Sequence, residues 1–359
     1  MTPKAKITPF QFFTILFLSR IFALITYVVS LRTQLSTTDR VLMTVFTGLF
    51  LVITAIPTAV FIKQNNTESI ITRASSLSPV FGKILCVIYY AEALYLGVIT
   101  CVRFGIFTGS VMFPDTNILF FILMMLLFSA YIAFKGIEAM GRSAVVILFP
   151  VLSALFFVFA TQSKDFDLLN FTPIFTSDTG DIISVAFFSA SRTGELALVS
   201  LMPQYVKKQK PRHLYAFIGL ITAVMFTAEL IMSGVLGNYG STQLFSMYSL
   251  SVLAEFGFIE RLDALLTCVW LLCAGVKISI TLFLCSNLLS SLFGRNRRVL
   301  FISAGAILMF ACSVPLAQNL INLSWLINAP VTQILYITAV CIIPITVMIW
   351  ERLKKNEKT

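Results

Sequence analysis

Hydroxyls, two opposite charges and a glycine stand side by side in Ser189-Ala-Ser-Arg-Thr-Gly-Glu195, the middle of an apolar run from Asp181 to Pro203. A run of that length crosses a bilayer, which takes about 20 residues. An ionised side chain at the bilayer centre costs about 3 kcal/mol or more, so it faces a partner or a water-filled cavity. Glycine beside small hydroxyl residues also lets a helix open and offer its backbone to a ligand. A plainer reading has Arg192 and Glu195, three residues apart on one helix face, neutralising each other. That pair accounts for neither the glycine nor the hydroxyls. A broken helix carrying a binding site is the expectation.

Seven ionisable residues fall inside apolar runs: Arg20, Glu92, Arg103, Arg192, Glu195, Glu229 and Lys277. Arg20 lies about 15 Å into its run at ~1.5 Å per residue, too deep to reach water easily. Arg103 and Glu229 sit nearer the ends of theirs and also fit interfacial positions. Glu92 and Arg103, eleven residues apart, share a helix face without touching. Four bases against three acids leave one cation, which a ligand carboxylate would complete. Lys277 has two readings, a coupling residue or a structural cation paired with Glu92 or Glu229. No cluster has metal-ligand spacing, no cofactor is expected, and Ser191 has no histidine near it in sequence. An enzyme is therefore not expected.

The elements that must hold these residues are membrane helices. Of 359 residues, 58% are hydrophobic and only 12% charged, about half the charged share of a soluble domain. Ten apolar segments follow one another: Phe10–Ser30, Val41–Ile62, Ile84–Thr108, Asn117–Phe134, Arg142–Thr161, Asp181–Pro203, Leu214–Leu236, Ala264–Ser290, Val299–Gln318 and Val331–Trp350. With the N-terminus in the cytoplasm, eighteen of the 26 basic residues fall on the inner side. Only Arg32, Arg40, Lys164 and Arg261 fall on the outer side, so both termini are expected inside. Scattered over every inner loop, these cations suit anionic lipid rather than nucleic acid. The link from Gly237 to Asp263, studded with Phe245, Tyr248, Phe256 and Phe258, predicts short interfacial helices. His213, among lysines, is expected at the surface. The seven cysteines all lie in apolar runs and predict no disulfide framework. The basic start Met1-Thr-Pro-Lys-Ala-Lys leads into a retained first helix rather than a cleaved signal.

Leu18-Ser19-Arg20 in the first segment echoes Ala190-Ser191-Arg192 in the sixth. Five crossings separate them, so the two segments run in opposite directions. That is the arrangement of an inverted repeat, whose paired broken helices build a site at the midplane. The expected architecture is a single transmembrane domain over 1–359, with one repeat near 7–162 and the second near 181–350.

Four stretches in order carry a resemblance along essentially the whole chain. They are Ile7-Thr-Pro-Phe-Gln-Phe-Phe13 with Ser19-Arg20, Gly136-Ile-Glu-Ala-Met-Gly-Arg142, Gly194-Glu195 with Met202-Pro203, and Phe258-Ile-Glu-Arg-Leu-Asp263 with Trp270. The sequence resembles the B subunits of bacterial spore nutrient germinant receptors, a branch of the amino acid–polyamine–organocation transporter superfamily. The resemblance implies an all-α integral membrane fold of the LeuT type: ten transmembrane helices in a five-plus-five inverted repeat, discontinuous in helices 1 and 6. It implies a small nutrient, an amino acid by preference, bound between those helices in the spore inner membrane. It also implies A and C partner subunits that read the binding event and start germination. The ligand residues expected are Ser19, Arg20, Ala23, Ser189, Ser191, Arg192, Thr193, Gly194 and Glu195, with Glu92, Glu229 and Lys277 as coupling or structural ion pairs. The first segment departs from the superfamily pattern, reading Arg20-Ile-Phe-Ala23 with no glycine at a break. That departure puts Arg20 in the place of a backbone clamp. The alternative is a proton-coupled amino acid permease on the same fold.

Overall fold

The computed structural model describes residues 6–25, 35–64, 67–254, 262–295, 297–318, 326 and 329–356. The expectations for Lys4, Arg32, Arg261, Lys358, Phe256 and Phe258, and the first four residues of the stretch at 258–263, lie outside the described residues.

The first helix, α1 (Pro9–Ile25), starts on a reciprocal cap. Thr8 N–H donates to Gln11 Oε1 at 2.9 Å, and Gln11 N–H donates to Thr8 Oγ1 at 3.2 Å. Proline at the first helical position lacks the amide that would go unsatisfied there. Just before this cap, Ile7 pairs with the strand-like exit of the sixth segment: Ile7 N–H donates to Tyr205 O and Lys207 N–H to Ile7 O, both at 2.9 Å. The start of α1 is thereby tied to the far end of the interrupted segment.

The second segment is α2 (Thr37–Thr54) followed by α3 (Ile56–Gln64), bent at Ala55 where Pro57 withholds its amide. A short helix, α4 (Ile70–Leu77), leads into α5 (Pro79–Phe107). Then come α6 (Ile118–Lys135) and α7 (Ile137–Thr161), turned sharply at Gly136, whose φ of 99° favours a residue without Cβ. The sixth segment is two pieces, α8 (Thr179–Ser191) and α9 (Leu196–Leu201). Beyond it lie α10 (Pro211–Leu236), two short helices α11 (Tyr239–Thr242) and α12 (Ser246–Val252), then α13 (Leu262–Phe293) and α14 (Arg298–Ala317). The last segment, α15 (Val331–Ile337) and α16 (Ile343–Asn356), is joined by a π-helical turn.

Among the described residues, eight stretches are long and apolar enough to span a membrane, and α1 is a shorter apolar helix. The apolar segments expected from sequence are helical over most of their described residues, the sixth in two pieces, and the aromatic link carries the two short helices α11 and α12. One expectation is not met among the described residues: the first segment, expected to be discontinuous, is unbroken from Pro9 to Ile25, straight through Ser19-Arg20. It holds neither glycine nor an internal proline there, so nothing costs the hydrogen-bond ladder enough to open it.

The core is organised on α13, 83% of whose apolar window is buried, against 28% for the windows of α6, the α7 stretch and α14. It packs on α1, α5, α6, α7 and α14. Its Trp270 stacks on Phe22 of α1 at 5.1 Å and on Phe104 of α5 at 5.4 Å, and its indole N–H donates to Phe22 O at 3.2 Å. Peripheral helices turn residues such as Phe149 (79% exposed) and Ile307 (70%) outward. Apolar surface on that scale suits contact with lipid. At one end of the bundle Arg73 of α4, stacked over Phe61, forms an ion pair with Glu351 of α16, and Lys354 donates to Leu77 O at 3.0 Å.

Candidate functional site

The interruption of the sixth segment falls at Arg192–Glu195. The i→i−4 ladder gives way to shorter bonds: Thr193 N–H to Ala190 O at 2.9 Å, Leu196 N–H to Thr193 O at 3.1 Å and Ala197 N–H to Gly194 O at 3.0 Å. Three other helices clamp the opened turn. From α1, Arg20 Nη1 donates to the Arg192 carbonyl at 3.3 Å. From α13, Lys277 Nζ donates to Glu195 Oε1 at 2.7 Å, both side chains buried. From α5, Glu92 and Leu96 lie against Gly194, where an added Cβ would come 2.6 Å from Glu92 Oε1 and 3.0 Å from Leu96 Cδ2. A side chain at 194 would have to displace the ends of Glu92 and Leu96.

These helices enclose a cavity of about 50 Å³. Of the expected ligand residues, Arg20, Ala23, Ser189, Ser191 and Arg192 line it. Ser19, Thr193, Gly194 and Glu195 do not line it. Ser19 Oγ and Thr193 Oγ1 are buried beside it without a hydrogen-bond partner among the described residues. Glu195 reaches it only through Lys277, which does line it. Ser191 Oγ donates to Phe188 O at 2.7 Å, and the Arg192 guanidinium stacks over the Phe188 ring at 4.3 Å.

Sequence reasoning missed part of the wall: beside Glu92, expected as an ion-pair residue, and Arg103, expected as an embedded charge, Tyr95, Leu96, Ile99 and Thr100 of α5 also line the cavity. Their spacing of three and four residues puts them on one helix face. The shared face of Glu92 and Arg103 was the available signal. Tyr95 hydrogen-bonds Thr332 at the start of α15, a residue with no signal of its own.

The ion pairs differ from expectation in two ways. Lys277 pairs with Glu195 rather than with Glu92 or Glu229. Arg40 is not an outer-loop residue. Ser36 caps α2 by accepting from Asp39 N–H, so the helix starts at Thr37 and carries Arg40 inside. There Arg40 Nε lies 3.2 Å from Glu229 Oε1, and its Nη2 donates to Gly237 O at 3.0 Å. Glu229, also buried, lines a second cavity of about 30 Å³ that shares Arg20, Ser189 and Met225 with the first. His213 is half-buried near Phe13 rather than fully exposed, their rings 6.3 Å apart.

A bundle of apolar helices, one of them opened beside a cavity that carries charged side chains in an apolar wall, defines the class: a multi-pass integral membrane protein with a transporter fold. Its backbone is similar to the crystal structure of MhsT in complex with L-phenylalanine (TM-score 0.65, 12% identity, 97% of this chain and 98% of that one). It is also similar to a substrate-bound, outward-open Na⁺-coupled sialic acid symporter (TM-score 0.61, 11% identity, 94% of this chain and 80% of that one). Residues 6–321 match the family of spore germination proteins, and the chain belongs to that family. YfkT of Bacillus subtilis (strain 168), which carries the name of a spore germination protein, is 24% identical over 228 residues. That match spans 62% of this chain and 62% of the relative's length.

Proposed function

We propose that this chain is a transporter-like nutrient-sensing subunit of a spore germinant receptor. The observation that carries this reading is the opened turn at Arg192–Glu195, held by Arg20, Lys277 and Glu92 over a cavity whose apolar wall carries several charged side chains. An amino acid suits it: guanidinium groups for the carboxylate, Glu92 for the ammonium, and Ser189 and Ser191 for orientation. The solved relative MhsT holds L-phenylalanine, which is consistent with that choice. At about 50 Å³ the cavity admits such a ligand only if the surrounding helices separate. Binding then favours one of two packings, and partner subunits of the A and C type read the difference.

The fuller architecture belongs to the same proposal. Ten membrane segments form one domain, with repeats near 7–162 and 181–350 inverted relative to each other. Both termini face the cytoplasm, and the protein resides in the spore inner membrane. A second reading, a proton-coupled amino acid permease, is favoured by one observation: Lys277, a titratable cation, is buried against Glu195 at the opened turn.

Purified protein in liposomes separates the two. Saturable amino acid binding without accumulation under an inward proton gradient supports the sensor. Gradient-driven accumulation lost in Lys277→Ala would make the protein a permease.

A further inference from the structure

The second and last segments run side by side and leave a groove between them. Thr54 of α2 hydrogen-bonds Tyr336 of α15 at 2.7 Å, and Thr58 Oγ1 of α3 donates to Val340 O of the π-helical turn at 3.0 Å. Each segment advances four residues between these contacts, in the same direction, so the two are parallel. Further along, Val60 and Gln64 of α3 and Ile345, Met348, Ile349 and Arg352 of α16 line a groove of about 120 Å³.

Its chemistry is divided along its length. The lining residues of α16 fall at i, i+3, i+4 and i+7, and those of α3 at i and i+4, one face of each helix. Val60, Ile345, Met348 and Ile349 form an apolar floor. Gln64 and Arg352 are each the last lining residue of their helix, so amide and guanidinium share one end of the groove. Glu351 and Lys354 point the other way, onto α4: the first pairs with Arg73, and the second donates to Leu77 O at 3.0 Å. Arg352 is exposed on the side of α3, where Lys63 is exposed next to Gln64.

Both walls belong to stretches that span the membrane, Thr37–Gln64 and Val331–Asn356. Val60, Ile345 and Ile349 are exposed along them, where acyl chains are the solvent. The polar end falls at the helix ends, the level of lipid headgroups.

We propose that this groove is a binding site for an anionic phospholipid. An acyl chain lies on the apolar floor, and the phosphate accepts hydrogen bonds from the Arg352 guanidinium and the Gln64 amide. A guanidinium can meet two phosphate oxygens at once. A zwitterionic phospholipid offers the same phosphate but sets its own ammonium beside Arg352 and Lys63, whereas an anionic headgroup brings no cation. With the termini in the cytoplasm, the lipid belongs to the inner leaflet, where anionic lipids attract basic residues.

The test is native mass spectrometry of the full-length protein, titrated in detergent with phosphatidylglycerol or phosphatidylcholine of identical acyl chains. The first phosphatidylglycerol is expected to bind about fivefold more tightly than the first phosphatidylcholine, as one cation at the membrane surface allows. Arg352→Gln should reduce that preference to less than about twofold. Lys135→Gln, which removes an exposed cation outside the groove at the end of α6, should leave it unchanged. Gln64→Leu should weaken phosphatidylglycerol about threefold, a second reading at the same site should Arg352→Gln fail to fold. Equal binding of the two lipids by wild type would overturn the proposal. So would a preference that survives both groove variants, or one that Lys135→Gln removes as fully, since surface charge in general would then account for it.

Discussion

Truncating Lys277 to methionine removes the cation that faces Glu195 across 2.7 Å, between side chains 8% and 3% exposed. At an effective dielectric near 20, charges at that separation attract by about 6 kcal/mol. Desolvation of both groups offsets much of it, so the pair as a whole contributes little net stability. Breaking it is different, because Glu195 would remain buried with nothing to neutralise it. Lys277→Met is therefore expected to cost about 3–5 kcal/mol. Glu195→Gln, which strands the lysine instead, falls in the same range. The double variant removes both charges and should recover to within about 1 kcal/mol of wild type. Reversible unfolding of the purified protein in mixed micelles, run as a double-mutant cycle, reads these terms directly. Single costs below about 1 kcal/mol that simply add would refute the reasoning, since independent residues show no coupling.

Other perturbations test other joints. Gly194→Val should abolish ligand binding while leaving the chain membrane-inserted, because its Cβ alone would lie 2.6 Å from Glu92 Oε1; retained binding by the purified variant would show that the turn tolerates a side chain. Glu229→Gln should destabilise the bundle by about 3 kcal/mol through the stranded Arg40, visible in the same unfolding assay. Gly136→Ala, forced to φ 99° against the Arg298 guanidinium, should cost about 1–3 kcal/mol. For topology, cysteines placed at Lys83 and Arg212 in a background lacking the seven native thiols should react with an impermeant maleimide from the cytoplasmic side only; labelling from opposite sides would overturn the proposed orientation.

Much of the bundle could be read from hydropathy, because a bilayer-length apolar run has few alternatives. The opened turn was legible for a related reason: charges and a glycine in the middle of such a run have no other cheap explanation. What failed to show in the sequence depended on facing and on exact helix ends. Arg40 sits one residue before an apolar run, and only the Ser36 cap, which starts α2 at Thr37, carries it inside. That four-residue shift in a boundary gives Glu229 its partner. The pairing of Lys277 with Glu195 was equally hidden, since the two are 82 residues apart. Only the crossing of α13 beside the turn brings them together. In α1 the echo of Ser-Arg with the sixth segment suggested a second break. The local residues favour helix there, and local preference prevailed.

The central claim is that a nutrient binds at the opened turn, and accessibility of a residue in its wall tests it most directly. Ser191→Cys in the cysteine-free background places one thiol in the cavity wall. Its rate of reaction with a small methanethiosulfonate, measured across concentrations of whichever amino acid binds wild type, reports occupancy of the site. The account predicts protection that saturates, with a midpoint matching the Kd of the same variant. A labelling rate unchanged at saturating ligand would contradict it and place the nutrient elsewhere.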